Sequence, residues 1–417
     1  MGGGIVRGLS IRRSLHQAAG GLPRPFWFLF AGTFVNRLGS FVLPFLALYL
    51  TQERHLSLVQ AGAILSLYGA GATAAGPIGG FLADRIGRRA TMLFALIAGG
   101  ACMITLGFVD RVEMLAPAVF VVALVGEMYR PGMLAAMSDL LSGADRVRAM
   151  GLIYWVINLG YAIGVALGGL LASQSFRLLF VGDGITTILF GICVAFGVPE
   201  TRPHAAPHPE GVARPAMWKE FVAPYRDGRF VLLLVLSFFI ATVFTQNASS
   251  FPLDMAAQGL GKSSMGLVFA LNGLLIVFLQ PVISPLLAPH NRSRVLAVGT
   301  ATIGLGFGLH AFCSTTPAFM AAVVVWTFGE MAVLPVAHAL VADLAPAALR
   351  GRYMGAYSMA FGGAVCAAPA VGTWALQALG RNGLWAGCLA AGLAVAAGHL
   401  LLARSLTRLR AERLAAE

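Results

Sequence analysis

This sequence is poor in charge. Asp, Glu, Lys and Arg make up 11% of its 417 residues, against 58% apolar residues. A soluble domain cannot cover its surface with so few charges. Lysine is nearly missing, with only Lys219 and Lys262. No Gly-rich phosphate loop ending in Lys-Ser/Thr occurs, so nothing in the chain holds a nucleotide. The five cysteines, Cys102, Cys193, Cys313, Cys366 and Cys388, all fall in apolar runs. They have neither CxxC spacing nor a His partner in sequence, which leaves packing as their role. His310, His338 and His399 show no ligand spacing, so no metal and no other cofactor is expected. An enzyme is the least expected class, because no nucleophile–base constellation is visible. Residues 1–25 carry Arg7, Arg12, Arg13 and Arg24 but no apolar core or cleavage site, and read as a cytoplasmic tail rather than a signal peptide.

What the chain has is hydrophobic length. Mean hydropathy is +0.80. Twelve apolar stretches each approach the roughly 20 residues needed to cross hydrocarbon: 26–50, 59–83, 91–109, 115–139, 149–172, 177–198, 230–252, 265–288, 294–313, 318–343, 353–379 and 382–403. A connection at 199–229 begins PETRPHAAPHPEGVARP and divides them into bundles at 26–198 and 230–403. Its Pro, His and charge content rules out a further span, and 216–228 reads as a short surface helix. Residues 404–417 read as a cytoplasmic helical tail. The formal charge of +12 is a topology signal. With the N-terminus placed in the cytoplasm, only Arg54, Arg111, Arg177, Lys262 and Arg381 fall outside, while Arg37 and Arg130 lie within spans. The remaining basic residues are cytoplasmic, as the positive-inside rule requires. Anionic lipid headgroups are their expected neighbours, and nucleic acid is excluded. Both termini are thus expected in the cytoplasm of an all-α membrane protein with twelve transmembrane helices.

The two halves repeat. At an offset of 204 residues, Arg146, Arg148, Met150 and Gly151 become Arg350, Arg352, Met354 and Gly355, Pro77 becomes Pro281, and Arg88 becomes Arg292. Glu127 matches Glu330 at 203. Paired repeats of this kind mark a transporter with a central site near the midplane. The second span ends in GPIGGFLADRIGRR at 76–89. There Gly80, Leu82, Ala83, Asp84, Arg85, Gly87, Arg88 and Arg89 resemble, nearly letter for letter, the loop signature of the major facilitator superfamily. The second copy, PLLAPHNRSR at 285–294, has lost the Asp and the Gly. The resemblance covers essentially the whole chain. It implies two pseudo-symmetric six-helix bundles in the cell membrane, working by alternating access. It also implies that Asp84, Arg88 and Asp139 form a charge cluster that latches the halves outward-facing, with Asp84 near the positive N-terminus of span 11. Asp343 echoes Asp139, but its loop lacks the acid.

Span 5 contains GYAIGVALGG at 160–169. Gly160, Gly164, Gly168 and Gly169 resemble the motif of the antiporter branch, with Val165 in place of its proline. The spacing makes a smooth stripe for close helix approach, which is also its plain packing reading. Intramembrane ionisable residues each need a reason. Arg37, Glu127, Arg130 and Glu330 are expected to gather at similar depth, with Asp183 either a second titrating group or wetted from outside. Either acid of the first set is a candidate carrier of a coupling proton. The alternative is a set of permanent salt bridges tying helices 1, 4 and 10. Arg130 also resembles the fourth-span arginine that drug–proton antiporters use in proton transfer. Asn36, Tyr129, Asn158, Asn247, Asn272 and Met331 are candidate cavity residues. For the polar ones, interhelical hydrogen bonds are an equal explanation; for Tyr129 and Met331, helix packing is.

These readings converge on a monomeric, proton-coupled exporter of small amphipathic or lipophilic compounds, a multidrug efflux transporter. Two alternatives stay open. One is a proton-coupled importer of the same fold, such as a peptide symporter, whose Glu-rich first-span motif is here reduced to Asn36 and Arg37. The other is a lipid flippase or a non-transporting receptor.

Overall fold

The computed structural model describes residues 20–141, 143–202, 222–346 and 349–416. The expected N-terminal tail up to residue 19 and most of the central connection lie outside them, as do residues 216–221 of the short helix expected at 216–228, whose described part holds a single 3-10 turn at Ala223–Arg226. Among the described residues twelve helices are long and apolar enough to span a membrane. They are α1 (Arg24–Glu53), α2 (Leu58–Arg85), α3 (Arg88–Leu106), α4 (Val112–Leu140), α5 (Arg148–Gln174), α6 (Phe176–Gly197), α7 (Gly228–Ala248), α8 (Lys262–Leu287), α9 (Arg292–Phe312), α10 (Thr316–Leu344), α11 (Arg350–Ala378) and α12 (Gly380–Ser405). The last helix continues beyond its spanning part to Ala416.

The repeat read from sequence is a repeat of packing. Within the first bundle α1 packs on α5 and α6, α3 on α4 and α6, and α2 on α4. Within the second, α7 packs on α11 and α12, α9 on α10 and α12, and α8 on α10. Each contact maps onto its counterpart by adding six to both helix numbers. Between bundles, α2 lies along α11 and α5 along α8, and the second half of α1 meets a short helix, Ser250–Ala257, that extends α7.

The two inter-bundle seams are closed at the end of the molecule away from the arginine-rich loops. There Gly169 of α5 faces Gly266 of α8. A Cβ on Gly266 would stand 2.6 Å from the Val165 carbonyl oxygen, and one on Gly169 would stand 2.7 Å from that of Lys262. Lys262 donates to the Ala172 carbonyl at 3.1 Å and sits 3.9 Å from the Phe176 ring centroid. On the other seam Ser66 accepts from the Ala370 amide at 3.2 Å, and Thr73 donates to the Gly362 carbonyl at 3.2 Å. Beside them Asp254, buried at 1% exposure, holds Arg381 at 2.6 Å and accepts from the Trp385 indole at 2.9 Å. This pins the start of α12 to the extension of α7.

Replacing Gly266 by Leu should separate α5 from α8 and cost about 1–3 kcal/mol by overpacking. Gly387→Leu, where a Cβ meets nothing within 4 Å, should change stability by less than about 0.5 kcal/mol. Thermal unfolding of the two purified variants in detergent checks this; equal stability would show that the seam tolerates a side chain.

Candidate functional site

Among the described residues three spanning helices are broken, and each break lies one turn before a proline. Pro44, Pro131 and Pro252 lack the amide hydrogens that would bond the carbonyls of Ser40, Glu127 and Ala248. Helix α1 is interrupted between Gly39 and Val42, α4 at Met128, and α7 at Ser249. Ser40, Glu127 and Ala248 all line the same internal chamber, about 190 Å³ in volume. Unwound backbone at membrane depth is tolerated where it is buried in protein or borders a cavity with polar groups, and this chamber has four charged side chains in its wall.

The chamber holds Arg37, Glu127, Arg130 and Asp183. Arg130 and Glu127 form an ion pair within one turn of α4, with Arg130 Nη2 at 3.3 Å from Glu127 Oε1. Arg37 donates to the Tyr129 hydroxyl at 2.8 Å, and its Nε has no hydrogen-bond partner among the described residues. Asn36 donates to the Thr187 hydroxyl at 2.9 Å, and Thr187 in turn lies 3.5 Å from Asp183 Oδ1. Asp183 is 7% exposed. It is therefore a buried wall of the chamber and not wetted from outside. Asn36, Tyr129 and, from the second bundle, Asn247 also line it.

Glu330 stands apart, which corrects the expectation that it joins the other charges. It lies in the second bundle, 7% exposed, in a small pocket shared with Ser237 and Tyr357. Asn272 donates to it at 2.7 Å and to Thr327 at 3.0 Å. Among the described residues no cationic side chain pairs with it, and no ion pair links α10 to α1 or α4. Among the other cavity candidates, Asn272 is committed to Glu330. Asn158 donates to the Tyr154 carbonyl at 2.9 Å, and Met331 is 1% exposed, so it packs inside the second bundle. Reading the sequence missed Thr187, Thr327, Tyr68 and Tyr161, hydroxyls placed around the acids. A search for polar residues one turn from each intramembrane acid would have found Thr187 and Thr327.

A second, larger cavity of about 1110 Å³ lies between α2, α4 and α11 toward the arginine-rich end. It shares Glu127 and Arg130 with the chamber. The ion pair therefore stands between a polar interior and an apolar opening.

The glycine stripe of α5 is a packing surface. Cβ atoms on Gly160, Gly164 and Gly168 would collide with the Arg37 side chain, the Arg37 carbonyl and the Phe41 side chain of α1, while Gly169 faces α8. The stripe thereby holds Arg37 at the chamber.

The basic loop is held together inside the first bundle. Arg88 pairs with Asp84 at 3.3 Å and with Asp139 at 3.2 Å. The Asp84 side chain is 77% exposed and makes no contact with the start of α11 among the described residues. Arg85 packs over the Phe81 ring, and Arg89 donates to the Ala195 carbonyl at 2.6 Å. Gly80 faces Pro131 with room to spare. In the second bundle Arg292 pairs with Asp343, the counterpart of Arg88 with Asp139.

Glu200 is the loop residue that sequence reading passed over. Its carboxylate accepts from the Arg88 amide at 2.9 Å and the Arg89 amide at 3.1 Å, an anion seated on the N-terminus of α3. Gly87 turns with φ +107°, and a Cβ there would lie 2.3 Å from Glu200 Oε2. Only glycine meets both demands. Burial alone would raise the Glu200 pKa, but hydrogen bonds from the Arg202, Arg88, Arg89 and Thr201 amides lower it below the ordinary carboxylate range.

The Major Facilitator Superfamily model matches residues 29–255 and 233–416. The chain belongs to the Major Facilitator Superfamily. It is a multi-pass membrane protein and a secondary transporter, not an enzyme. A Na(+), Li(+), K(+)/H(+) antiporter of Planococcus maritimus is 25% identical over 79% of this chain and 84% of its own. The multidrug resistance protein MdtH of Aeromonas salmonicida (strain A449) is 23% identical over 79% and 82%. The crystal structure of a POT family transporter in complex with a thioalcohol-conjugated peptide superposes with a TM-score of 0.77 at 17% identity. It covers 94% of this chain and 98% of that one, a likeness of fold.

Because the Glu200 pKa is depressed, its contact contributes stability above the ordinary carboxylate pKa and loses it as pH falls through the lowered value. Glu200→Gln should speed hydrogen exchange at the Arg88 and Arg89 amides at neutral pH and cost about 1 kcal/mol, as a lost helix cap does. The difference from wild type should vanish on acidification. Unchanged exchange in the variant would remove the clamp.

Proposed function

We propose that this transporter exports amphipathic or lipophilic compounds in exchange for protons, and that Glu330 is the coupling acid. Glu330 itself carries the reading. An ionised carboxylate with no cation beside it is expensive at bilayer depth, so a proton is its natural partner. Glu127, by contrast, is paired with Arg130, three residues along the same spanning helix. Its role is to gate the way from the apolar cavity to the chamber, where Asp183 and Arg37 form a second polar centre. With no nucleotide site in the sequence, the energy comes from the ion gradient, roughly 2.3 kcal/mol per charge per 100 mV.

The seams are closed away from the arginine-rich loops, and the large cavity lies toward them. If those loops are cytoplasmic, as their charge requires, this is the inward-facing state. The exposed Asp84 fits that state: its partner in the outward-facing latch is the start of α11, from which it is here withdrawn. The export direction draws support from the glycine stripe of α5 and from the multidrug and antiporter names of the relatives.

A second reading is exchange of a monovalent cation, the activity named for the Planococcus relative. The acid and hydroxyl lining of the chamber favours it, and the two arginines in the same chamber oppose it.

The test uses proteoliposomes with an acidic interior and a pH-sensitive dye, pulsed with lipophilic cations, neutral antibiotics, NaCl or KCl. Wild type should release protons with an organic compound and not with the salts; Glu330→Gln should lose that response, and Glu127→Gln should weaken it. Substrate flux without proton movement would sink the exchange reading, and a response to salt alone would select the second. In the same assay Asp84→Asn should abolish turnover while leaving substrate binding, measured by equilibrium titration, largely intact. Retained turnover would remove the latch.

A further inference from the structure

The cavity of about 1110 Å³ lies between α2 and α11 with α4 behind, and runs from the level of Ala70 and Cys366, past the contact of Thr73 with the Gly362 carbonyl, toward the arginine-rich end. Its walls are small and apolar. Ala70, Ala74 and Pro77 come from α2, and Gly355, Met359 and Gly363 from α11. A Cβ at Gly76 or Gly355 meets nothing within 4 Å, so both glycines border open space. Phe81, one turn beyond Pro77, and Met359 are 58% and 56% exposed. Such side chains at the depth of a spanning helix are at home among acyl chains and not in a water-filled passage. The inner end is of opposite character, formed by the Glu127–Arg130 ion pair, and Arg352 and Tyr225 line the end near the basic loops.

We propose that this gap is a lateral portal through which an amphiphile dissolved in the adjoining leaflet enters between α2 and α11. Its polar head reaches the Glu127–Arg130 pair, and its apolar tail lies along the small-residue walls and out into the lipid. An apolar trough with a single ion pair at its base fits a molecule with one compact polar end and one long apolar end. A soluble, uniformly polar substrate would leave most of the wall unmatched. The proposal deepens the exporter reading by naming where its substrate comes from, and rests on it for what happens after entry.

Cys366, half-buried, lines the cavity and serves as the probe, and Cys102, in an outward groove between α3 and α4, serves as the reference. The full chain in liposomes is treated with lipid-soluble N-pyrenylmaleimide or with a charged, water-soluble maleimide, and each cysteine is quantified by mass spectrometry. The lipid-soluble reagent should modify Cys366 the faster. Gly355→Trp and Gly76→Trp, which fill open space, should slow that reaction several-fold and leave Cys102 unchanged. Hexadecyltrimethylammonium below its micelle concentration should protect Cys366, and tetramethylammonium should not. Preferential modification by the charged reagent, or indifference to both tryptophans, would overturn the portal. The labelling requires no transport. Lost proton exchange with this pattern intact therefore rejects only the exporter reading, and retained exchange without the pattern rejects only the portal.

Discussion

A carbonyl released from helical bonding inside a bilayer needs a polar neighbour, and that requirement organises the centre of this protein. Pro44, Pro131 and Pro252 each remove one intrahelical hydrogen bond, on three helices drawn from both bundles. Dispersed among lipid-facing surfaces, the three breaks would each carry a cost of several kcal/mol. Here the residues bearing the released carbonyls border one chamber. Two of the breaks lie beside charged side chains of the chamber, Arg37 just before the break in α1 and Arg130 just after the one in α4. Other prolines, such as Pro77, Pro281 and Pro369, sit inside unbroken helices, so the breaks mark where the polar interior was built.

Charge is distributed unequally between the repeats, and the inequality carries the functional assignment. The first bundle holds two acids and two arginines in one chamber, so any ionisation there is felt by a neighbour of opposite sign. In the second, Glu330 stands with an amide and a hydroxyl, while the other buried acid, Asp254, is paired with Arg381 at the closed end. A pseudo-symmetric frame thus supports two different electrostatic environments. At the arginine-rich end the pattern is reversed. The pairs Arg88–Asp139 and Arg292–Asp343 are retained in both halves, whereas Asp84, Gly87 and the Glu200 clamp belong to the first alone. The retained pair ties two helices of each bundle together, and the added elements fix the start of α3 in the first.

Most of the fold was legible in the sequence because the bilayer imposes a simple rule. A span must be apolar over roughly 20 residues, and a chain so poor in charge shows its loops wherever charge appears. The 204-residue repeat foretold which helices pack together, since Arg88 and Asp139 recur together as Arg292 and Asp343. The candidate site was legible as a set of residues but not as an arrangement. Glu127 and Glu330 look equivalent by repeat and by depth. Only the structure shows Arg130 folding back onto the first and, among the described residues, no cation reaching the second, because helix rotation is set by packing against neighbours and leaves no mark in composition. The helix breaks could have been read from the three prolines, whose signal lies four residues away from its effect. Glu200 escaped because it looked like the first charge of a linker; its role depends on a loop more than 100 residues earlier.

The small residues of α2 and α11 do opposite work along one pair of helices. In the closed half, Gly62 and Gly69 let α2 approach the backbone of α11 at Pro369 and Val365, where a Cβ would collide at 2.8 Å and 2.6 Å. In the open half, Gly76 and Gly355 face empty space. If the helices rock about the Thr73–Gly362 contact, the open half gains what the closed half now has: glycine against backbone, with the tail of any bound amphiphile expelled from between them. The same smooth surface can then seal a membrane protein in one state and admit a lipophile in the other, because glycine offers close contact when helices meet and free volume when they part. A stripe of larger residues would do neither, as it would hold the helices apart in the first state and fill the portal in the second.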